Sequence, residues 1–375
     1  MKKYLTMIAV IILSIAFIAG MATAATEVEK QTAIDNALAF LAGTQNADGS
    51  IGSMGGYALA STAAAVLAFA EQGSTISGGT YQTEVQNAMN YIFSRAVSQS
   101  ISMEPAGNPD TNGNGIGVYF ERYPRRTYEV GLVLPAIVKA GSQSSVVATG
   151  SQVGRTYADV VQDAVDWIAW AQVDPNYGNY RGGWRYNGDD TSADNSVSQW
   201  PVIGMLYAQD WGINAPGFVG TELELWANYI QNANGGSGYT SPFSGVDPGK
   251  TGGLLVEHSY MGTALGDARV QNALSYLNTN WNTYGADGNF ADAYMMWSIY
   301  KGLELYIGID DESTITPRPQ GTAVIDNPDH GWNWWEDYCE WLVANQLTSG
   351  AWSTVGPYAD IYLGTAWYVN ILAAT

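Results

Sequence analysis

Apolar residues recur along this chain with a helical period, and one short phrase marks the end of each amphipathic segment. The phrase is an aromatic residue followed by leucine or isoleucine, with a glycine-rich turn soon after it. It occurs six times, beginning at Phe40, Tyr91, Trp167, Tyr229, Tyr276 and Trp341. In the first copy, Ala33, Ala37, Leu38 and Leu41 fall on one helical face. The pattern therefore predicts six amphipathic helices.

A more uniformly apolar segment follows each of these helices. The six segments are Tyr57 to Ala70, Thr127 to Ala140, Asp194 to Ala208, Gly253 to Ala264, Ala291 to Ile307 and Ala359 to Ala373. A helix that is apolar all round is buried all round, whereas an amphipathic helix faces water on one side. We therefore predict an all-α fold, an (α/α)6 toroid with six inner helices inside a ring of six outer ones.

The last segment decides between a closed ring and an open helical solenoid. A solenoid needs a polar capping repeat at each end. The final segment, from Ile361 to Ala373, is as apolar as the internal ones. It needs a packing partner, and closure onto the first repeat supplies one.

Residues 1–24 predict export. Lys2 and Lys3 precede an apolar run from Met7 to Ala19, and Ala22-Thr23-Ala24 fits a small-residue cleavage site. The run is short for a membrane span, and no later stretch is long and apolar enough for one. We expect a secreted, extracytoplasmic protein with no membrane span after cleavage. Residues 25–375 would then form one toroid domain of six repeats, with a loop insertion at about 98–126.

Composition narrows the choice of partners. The formal net charge of −20 repels phosphate polymers, so no nucleic-acid partner is expected. Cys339 is the sole cysteine, so stability must come from packing rather than from an internal disulfide. The 14 tryptophans and 24 tyrosines must line either a core or a cavity. A small-molecule or glycan ligand fits this composition, and the oligomeric state is left open.

Several copies of the repeat resemble a known motif. The segment WLVANQLTSGAW, from Trp341 to Trp352, resembles the QW repeat of the squalene cyclase and protein prenyltransferase superfamily, aromatic-Leu-x3-Gln-x3-Gly-x-Trp. FLAGTQNADGSI in the first repeat fits all but the last aromatic, and GGWRY at 182–186 resembles bacterial exported proteins with squalene-cyclase-like repeats. The resemblance runs from about Gln31 to the end of the chain and implies a terpenoid cyclase-like α/α toroid. In such repeats we expect Gln45, Gln172 and Gln346 to bond backbone groups of a neighbouring helix, which is a structural role.

In a toroid of this kind the N-termini of the inner helices surround one mouth, where a ligand pocket can form. The residues predicted to face this mouth are mainly polar or aromatic and stand near the predicted starts of inner helices. The ligand-binding candidates are Tyr57, Tyr128, Glu129, Trp184, Asn195, Asp292, Tyr294, Asp360 and Tyr362.

Asp194 is the first catalytic candidate. The resemblance implies a general acid, because squalene-hopene cyclases protonate their substrate with the third residue of an Asp-x-Asp-Asp motif at a matching helix start. Here the four positions are Ser192, Ala193, Asp194 and Asn195, so both flanking carboxylates are missing. The alternative role is a helix N-cap that accepts a hydrogen bond from the Val197 N–H.

Glu257 and His258 are the other catalytic candidates, and we expect them at the mouth, near the start of the inner helix predicted from Gly253. A carboxylate beside an imidazole is suited to acid/base chemistry, although such a histidine can also be an oriented hydrogen-bond donor.

Two features of this sequence depart from the pattern of the superfamily. The cyclases place their cavity between two toroids and this chain has residues for one, which argues against class II cyclisation. The prenyltransferase zinc site needs Asp-x-Cys at an inner-helix start and a later histidine, whereas Cys339 lies on a predicted outer helix and no histidine follows it.

The segment DTNGNGIGVYFE resembles a calcium loop. Asp110, Asn112, Asn114 and Glu121 occupy positions 1, 3, 5 and 12 of an EF-type loop, with Gly115 at position 6. EPAGNP precedes the loop where a helix should stand. Two interpretations follow, a weak Ca2+ site that fixes a long loop or a glycine- and asparagine-rich turn without metal. No cofactor is required, and Ca2+ is the one that the sequence suggests.

Three functions fit the sequence. The leading hypothesis is an exported squalene-cyclase-like repeat protein that binds an isoprenoid-like or other bulky neutral molecule, with acid catalysis through Asp194 as an extension. The first alternative is a polysaccharide-active toroid, which would show two mouth carboxylates flanked by exposed tryptophans. The second is a surface or scaffold protein without a reaction, in which side chains would plug the mouth.

Overall fold

The structure, a computed structural model, describes residues 25–53, 56–121, 125–316 and 333–374. These residues form twelve α-helices and one β-hairpin. The helices are α1 (Glu27–Gly43), α2 (Ala58–Glu71), α3 (Gln82–Ser94), α4 (Arg126–Ala140), α5 (Tyr157–Trp170), α6 (Asn195–Ala208), α7 (Gly217–Ile230), α8 (Pro248–Tyr260), α9 (Ala268–Thr279), α10 (Ala293–Ile307), α11 (Trp334–Asn345) and α12 (Ile361–Leu372).

The even-numbered helices form a closed inner ring. Each of them packs against the next, and α12 packs against α2. Every residue of α2 from Ala58 to Phe69 is buried, whereas α3 buries only one face. This difference is what an inner helix, packed on all sides, requires of its sequence. The prediction of an all-α toroid is confirmed.

The repeat glutamines link neighbouring outer helices. The side-chain amides of Gln45, Gln172 and Gln346 donate to the carbonyls of Glu84, Val219 and Ala33, at 2.8, 3.0 and 2.7 Å. Each acceptor lies in the N-terminal half of the next outer helix. Because Gln346 follows α11 and Ala33 lies on α1, this contact joins the last repeat to the first. The predicted structural role of these glutamines is confirmed.

One inner helix begins earlier than predicted. We expected Gly253 to Ala264, but α8 runs from Pro248 to Tyr260. The side chain of Asp247 accepts a hydrogen bond from the Lys250 N–H at 2.8 Å, and Pro248 occupies the first helical position. An aspartate N-cap followed by proline is a strong start signal, and the prediction overlooked it.

The insertion in the second repeat is a hairpin rather than a loop throughout. Strands β1 (Ala96–Ser100) and β2 (Ile116–Phe120) pair antiparallel between α3 and α4. We assigned residues 125–126 to the insertion. Arg125 instead lines the opening of the inner ring, and Arg126 is the first residue of α4. The predicted signal peptide, residues 1–24, lies outside the described residues. None of the helices in the described ranges is both long and apolar enough to cross a membrane.

Candidate functional site

Aspartate N-caps begin four of the six inner helices. Asp194, Asp247, Asp292 and Asp360 precede α6, α8, α10 and α12, and each carboxylate accepts backbone N–H groups of the first helical turn. Such caps satisfy donors that a helix end otherwise leaves unpaired. Three of the acidic residues predicted near the mouth, Asp194, Asp292 and Asp360, are therefore engaged in capping, which is the alternative role predicted for Asp194.

An aromatic cavity lies inside the inner ring, just below these helix starts. It has a volume of about 430 Å3, including space that opens to solvent. Six aromatic side chains dominate its wall: Tyr57, Tyr128, Trp200, Tyr294, Tyr358 and Trp367. The rings of Trp200 and Trp367 stack with centroids 5.5 Å apart, and those of Tyr294 and Tyr358 lie 5.1 Å apart. We call this space the axial cavity.

A polar vestibule opens above the axial cavity and shares part of its lining. It measures about 720 Å3, again including open solvent. Tyrosines line it together with Arg125, Lys250 and Asp287. The Arg125 guanidinium lies 5.3 Å from the Tyr186 ring centroid, and Lys250 pairs with Asp247. We call this space the mouth.

A third space continues below the axial cavity, and we call it the floor. It measures about 250 Å3 and shares Leu132, Trp200 and Trp367 with the axial cavity. Along α4, the lining residues of the three spaces run from Arg125 at the mouth to Pro135 at the floor. Ten helical residues rise about 15 Å. The three spaces succeed one another inside the inner ring, from a polar entrance to a mainly apolar floor, and we call them together the channel.

Four of the predicted ligand-binding residues line the axial cavity together. They are Tyr57, Tyr128, Glu129 and Tyr294. The hydroxyl of Tyr294 donates to the Ser196 carbonyl at 3.0 Å, which fixes its ring across the cavity. These residues meet because each stands in or just before the first turn of an inner helix.

Asp194 lies behind the cavity wall rather than in it. Its Oδ1 accepts from the Ser196 hydroxyl at 2.6 Å and from the Val197 N–H at 3.1 Å. The Ser196 hydroxyl also bonds Tyr128 at 2.9 Å, and Tyr128 bonds Tyr358 at 2.7 Å. A chain of hydrogen bonds thus connects the Asp194 carboxyl to the axial cavity.

Burial raises the pKa of Asp194, although the hydrogen bonds from Ser196 and the charge of Arg185 lower it. The side chain is fully buried, and its Oδ2 has no hydrogen-bond partner. Burial also raises the pKa of Tyr128 well above its usual value. Tyr128, which lines the axial cavity, is therefore a poor proton donor.

Trp184 and Asn195 are structural and do not line the cavity. The Trp184 indole donates to the Ile168 carbonyl at 2.9 Å, as Trp352 of the sixth repeat donates to Leu342 at 2.7 Å. Trp184 is thus the packing tryptophan of the third repeat. Asn195 is fully buried and accepts from the Trp226 indole at 2.8 Å. Both were predicted to bind ligand, whereas in the structure both side chains serve packing between helices.

The last turn of α8 holds Glu257 and His258, so neither stands at the mouth. The prediction placed them there because it began this helix too late. His258 is fully buried, its Nδ1 lies 3.4 Å from the Thr263 hydroxyl, and burial lowers its pKa to about 4. Glu257 is fully buried, and neither carboxyl oxygen has a hydrogen-bond partner. The structure shows no acid/base couple between the two side chains.

Glu257 makes protein stability depend on pH. Burial raises its pKa well above the usual value, so the folded protein keeps a proton that the unfolded chain releases above about pH 4.5. Stability should fall as pH rises through that value. We expect Glu257→Gln to raise the free energy of unfolding at pH 7 by about 1 kcal/mol or more, and to have little effect at pH 4. Urea unfolding at both pH values measures this, and equal effects at the two would contradict it.

Three ligand-binding candidates remain, and all stand at the starts of inner helices: Asp292, Asp360 and Tyr362. Burial raises the pKa of Asp292 to about 6, and its carboxylate caps α10. Asp360 caps α12 and accepts from the Ser61 hydroxyl at 3.3 Å. Tyr362 stacks on Phe40 of α1, with centroids 5.7 Å apart. None of the three lines the axial cavity or the mouth, so their assignment as ligand contacts is corrected.

The calcium-like loop folds on itself and onto α5. Asp110 accepts the backbone N–H of Gly115 at 2.8 Å. Asn112 and Asn114 both direct their amide N–H groups to Oδ1 of Asp163, at 2.8 and 2.9 Å. An amide that donates to a carboxylate does not offer its oxygen along the same direction.

The twelfth loop residue is engaged elsewhere. Glu121 forms an ion pair with Arg126 at 3.1 Å, at the start of α4. Among the described residues, no group of three histidine, cysteine or acidic side chains is placed to hold a metal ion. The predicted convergence of four ligands is not observed, and the geometry favours the metal-free turn.

Sequence reasoning missed most of the cavity wall. Trp200 and Trp367 stand four residues after Ser196 and Leu363, which line the mouth and the axial cavity. Residues four apart share a helix face, so this spacing could have identified both. Tyr358 lies in the segment before α12, where no periodicity indicates the direction of a side chain.

Solved structures with a similar fold are type II terpene cyclases. The ligand-free cyclase MstE from Scytonema matches with a TM-score of 0.54 at 13% identity, over 92% of this chain and 97% of that one. A variant of MstE in complex with its substrate, geranylgeranyl dihydroxybenzoate, gives 0.51 with the same identity and coverage. Another variant, in complex with the product merosterolic acid A, gives 0.50. The sequence matches no protein-family model and no curated protein, so the likeness is one of fold.

Proposed function

We propose that this protein binds an isoprenoid-like molecule along the toroid axis, with a polar end at the mouth. The observation that carries the proposal is the axial cavity, whose wall combines six aromatic rings with Ala60, Leu132 and Leu363. Aromatic and aliphatic groups suit a branched hydrocarbon, which gains from burial without needing hydrogen bonds. The narrow, elongated channel fits a chain better than a compact ligand.

The mouth offers more polar contacts than the axial cavity, whose charged lining residues are Arg125 and Glu129. Arg125 lines both spaces and lies among tyrosines, including Tyr57 and Tyr358. Lys250 and Tyr239 line the opposite part of the mouth. A hydroxyl, carboxylate or similar end group can bond these side chains while the hydrocarbon extends inward. The proposed ligand is therefore amphiphilic.

A glycan ligand is less well supported. None of the tryptophans in the described residues is exposed, so the mouth has no tryptophan platform for sugar rings among them. The aspartates around the mouth accept hydrogen bonds from helix N-termini rather than facing each other across a cleft. The scaffold hypothesis expected a plugged mouth, whereas the described side chains leave one open.

The comparisons support the proposal through fold and length. A type II terpene cyclase, whose variant was solved with geranylgeranyl dihydroxybenzoate, is spanned almost entirely by this chain. That enzyme is therefore similar in length to this chain, which weakens the sequence argument against class II cyclisation from the number of residues. Identity of 13% leaves the ligand of this protein a proposal.

Acid catalysis through Asp194 is the second candidate function. The buried carboxyl and its hydrogen-bond chain to Tyr128 favour it, whereas the weak acidity of Tyr128 opposes it. The role of Asp194 stays a prediction. Loss of substrate conversion in Asp194→Asn, with ligand affinity retained, is the result that would support it.

Titration of the purified protein tests the binding proposal. Tryptophan fluorescence should change as geranylgeraniol is added, because Trp200 and Trp367 line the axial cavity. We expect saturation with a dissociation constant of about 10 µM or lower, that is, at least about 7 kcal/mol of binding free energy. Cellohexaose serves as the matched glycan probe and should give no saturation. Saturable binding of cellohexaose but not of geranylgeraniol would reverse the choice between the two functions.

A further inference from the structure

We propose that the floor of the channel is a hydrogen-bonding site for a neutral oxygen atom at the inner end of the ligand. This inference rests on the proposed function, since it concerns the far end of the same bound molecule. It adds a polar recognition site at the inner end of a channel whose axial cavity is mainly aromatic and aliphatic, apart from Arg125, Glu129 and the tyrosine hydroxyls. The ligand would then carry an oxygen at each end.

Three buried polar atoms at the floor have no hydrogen-bond partner. They are Nε1 of Trp297, Nε1 of Trp367 and Oδ1 of Asn370. All three residues line the floor, and they are 2%, 2% and 0% exposed. Leaving such a group unpaired costs about 1–3 kcal/mol, and buried polar groups in proteins nearly always have a partner.

The other buried tryptophans show that indole N–H groups without a hydrogen-bond partner are specific to the floor. Ten tryptophans are buried in the described part of the chain. Eight of them donate their indole N–H to a protein acceptor. The two that do not, Trp297 and Trp367, line the same small space. Among the buried indoles of the described residues, only these two at the floor lack a protein acceptor.

The donors and the acceptor match one chemical group. Two indole N–H groups can donate to the two lone pairs of a hydroxyl oxygen, and the hydroxyl hydrogen can donate to Asn370 Oδ1. The Asn370 amide nitrogen instead donates to the Ala64 carbonyl, at 3.4 Å. The other lining residues are apolar, among them Leu67, Leu132 and Ile203. An ionised end group would be unpaired there, so the geometry points to an alcohol rather than to an acid or an amine.

A matched pair of ligands tests this site. Geranylgeraniol carries one hydroxyl, and its counterpart carries a second hydroxyl at the opposite end of the chain. Titration of the wild-type protein should show the second compound binding at least about tenfold more tightly, because it satisfies groups that the first leaves unpaired. In Asn370→Leu the ratio of the two affinities should fall to within about twofold.

Two further variants keep the test decisive. Trp297→Phe removes one donor while keeping an aromatic ring, so the same loss of preference is expected if Asn370→Leu does not fold. Ser298→Ala is the matched control, since its hydroxyl is also buried without a partner but does not line the floor; it should keep the wild-type ratio. Equal affinities of the two compounds for the wild-type protein would overturn the inference and leave the proposed function standing. Binding of neither compound would overturn both.

Discussion

Ala60→Trp is expected to weaken geranylgeraniol binding by more than about 100-fold, or nearly 3 kcal/mol. Ala60 lies on α2 and lines the axial cavity. An indole at this position would occupy the space between the aromatic walls, so a ligand could enter only by displacing it. The fluorescence titration measures the loss, and circular dichroism verifies that the helical content is unchanged.

A tryptophan elsewhere on the same molecule provides the control. Val28 is 75% exposed on the outer helix α1, and Val28→Trp should bind geranylgeraniol like the wild-type protein. If Ala60→Trp also bound within about threefold of wild type while remaining folded, the ligand would have to lie outside the axial cavity.

Gly252→Ala is expected to lower the free energy of unfolding by about 3 kcal/mol, near the upper end of overpacking effects. Gly252 lies on α8 where it meets α10. A Cβ atom at this position would stand 2.4 Å from the Ser298 carbonyl oxygen and 2.6 Å from Ile299 Cα. Both are backbone atoms of α10, and a side-chain rotation cannot move them away. The two helices would have to separate, and the inner ring would lose packing along their contact.

Urea unfolding of matched glycine variants measures this effect. Gly220 lies inside α7, and nothing stands within 4 Å of a Cβ at its position. Gly220→Ala should therefore gain about 0.5–1 kcal/mol through helix propensity. If Gly252→Ala remained within about 1 kcal/mol of wild type, the close packing of α8 on α10 would be wrong.

Helical period and uniform apolarity were sufficient to predict both rings. The contrast between α2, buried on all sides, and α3, buried on one face, was present in the sequence as a contrast of composition. Ring closure followed from the apolar last helix. The start of α8 was missed because Asp247 and Pro248 were not recognised as a cap, and this error carried Glu257 and His258 to the wrong end of the helix.

The site was predictable where a side chain stands in the first turn of an inner helix. Tyr128 and Tyr294 satisfy that condition and line the axial cavity. Trp184 and Asn195 also stand near a helix start, yet their side chains turn into helix contacts. Sequence position fixes the level of a residue along the axis, whereas the direction of its side chain depends on packing between repeats.

A crystal structure with bound geranylgeraniol tests the proposed function most directly. We expect the hydrocarbon to lie against the stacked rings of Trp200 and Trp367 and against Tyr294, with its hydroxyl at the mouth near Arg125. Density for the ligand on the outer surface of the toroid, with the axial cavity empty, would contradict the proposal.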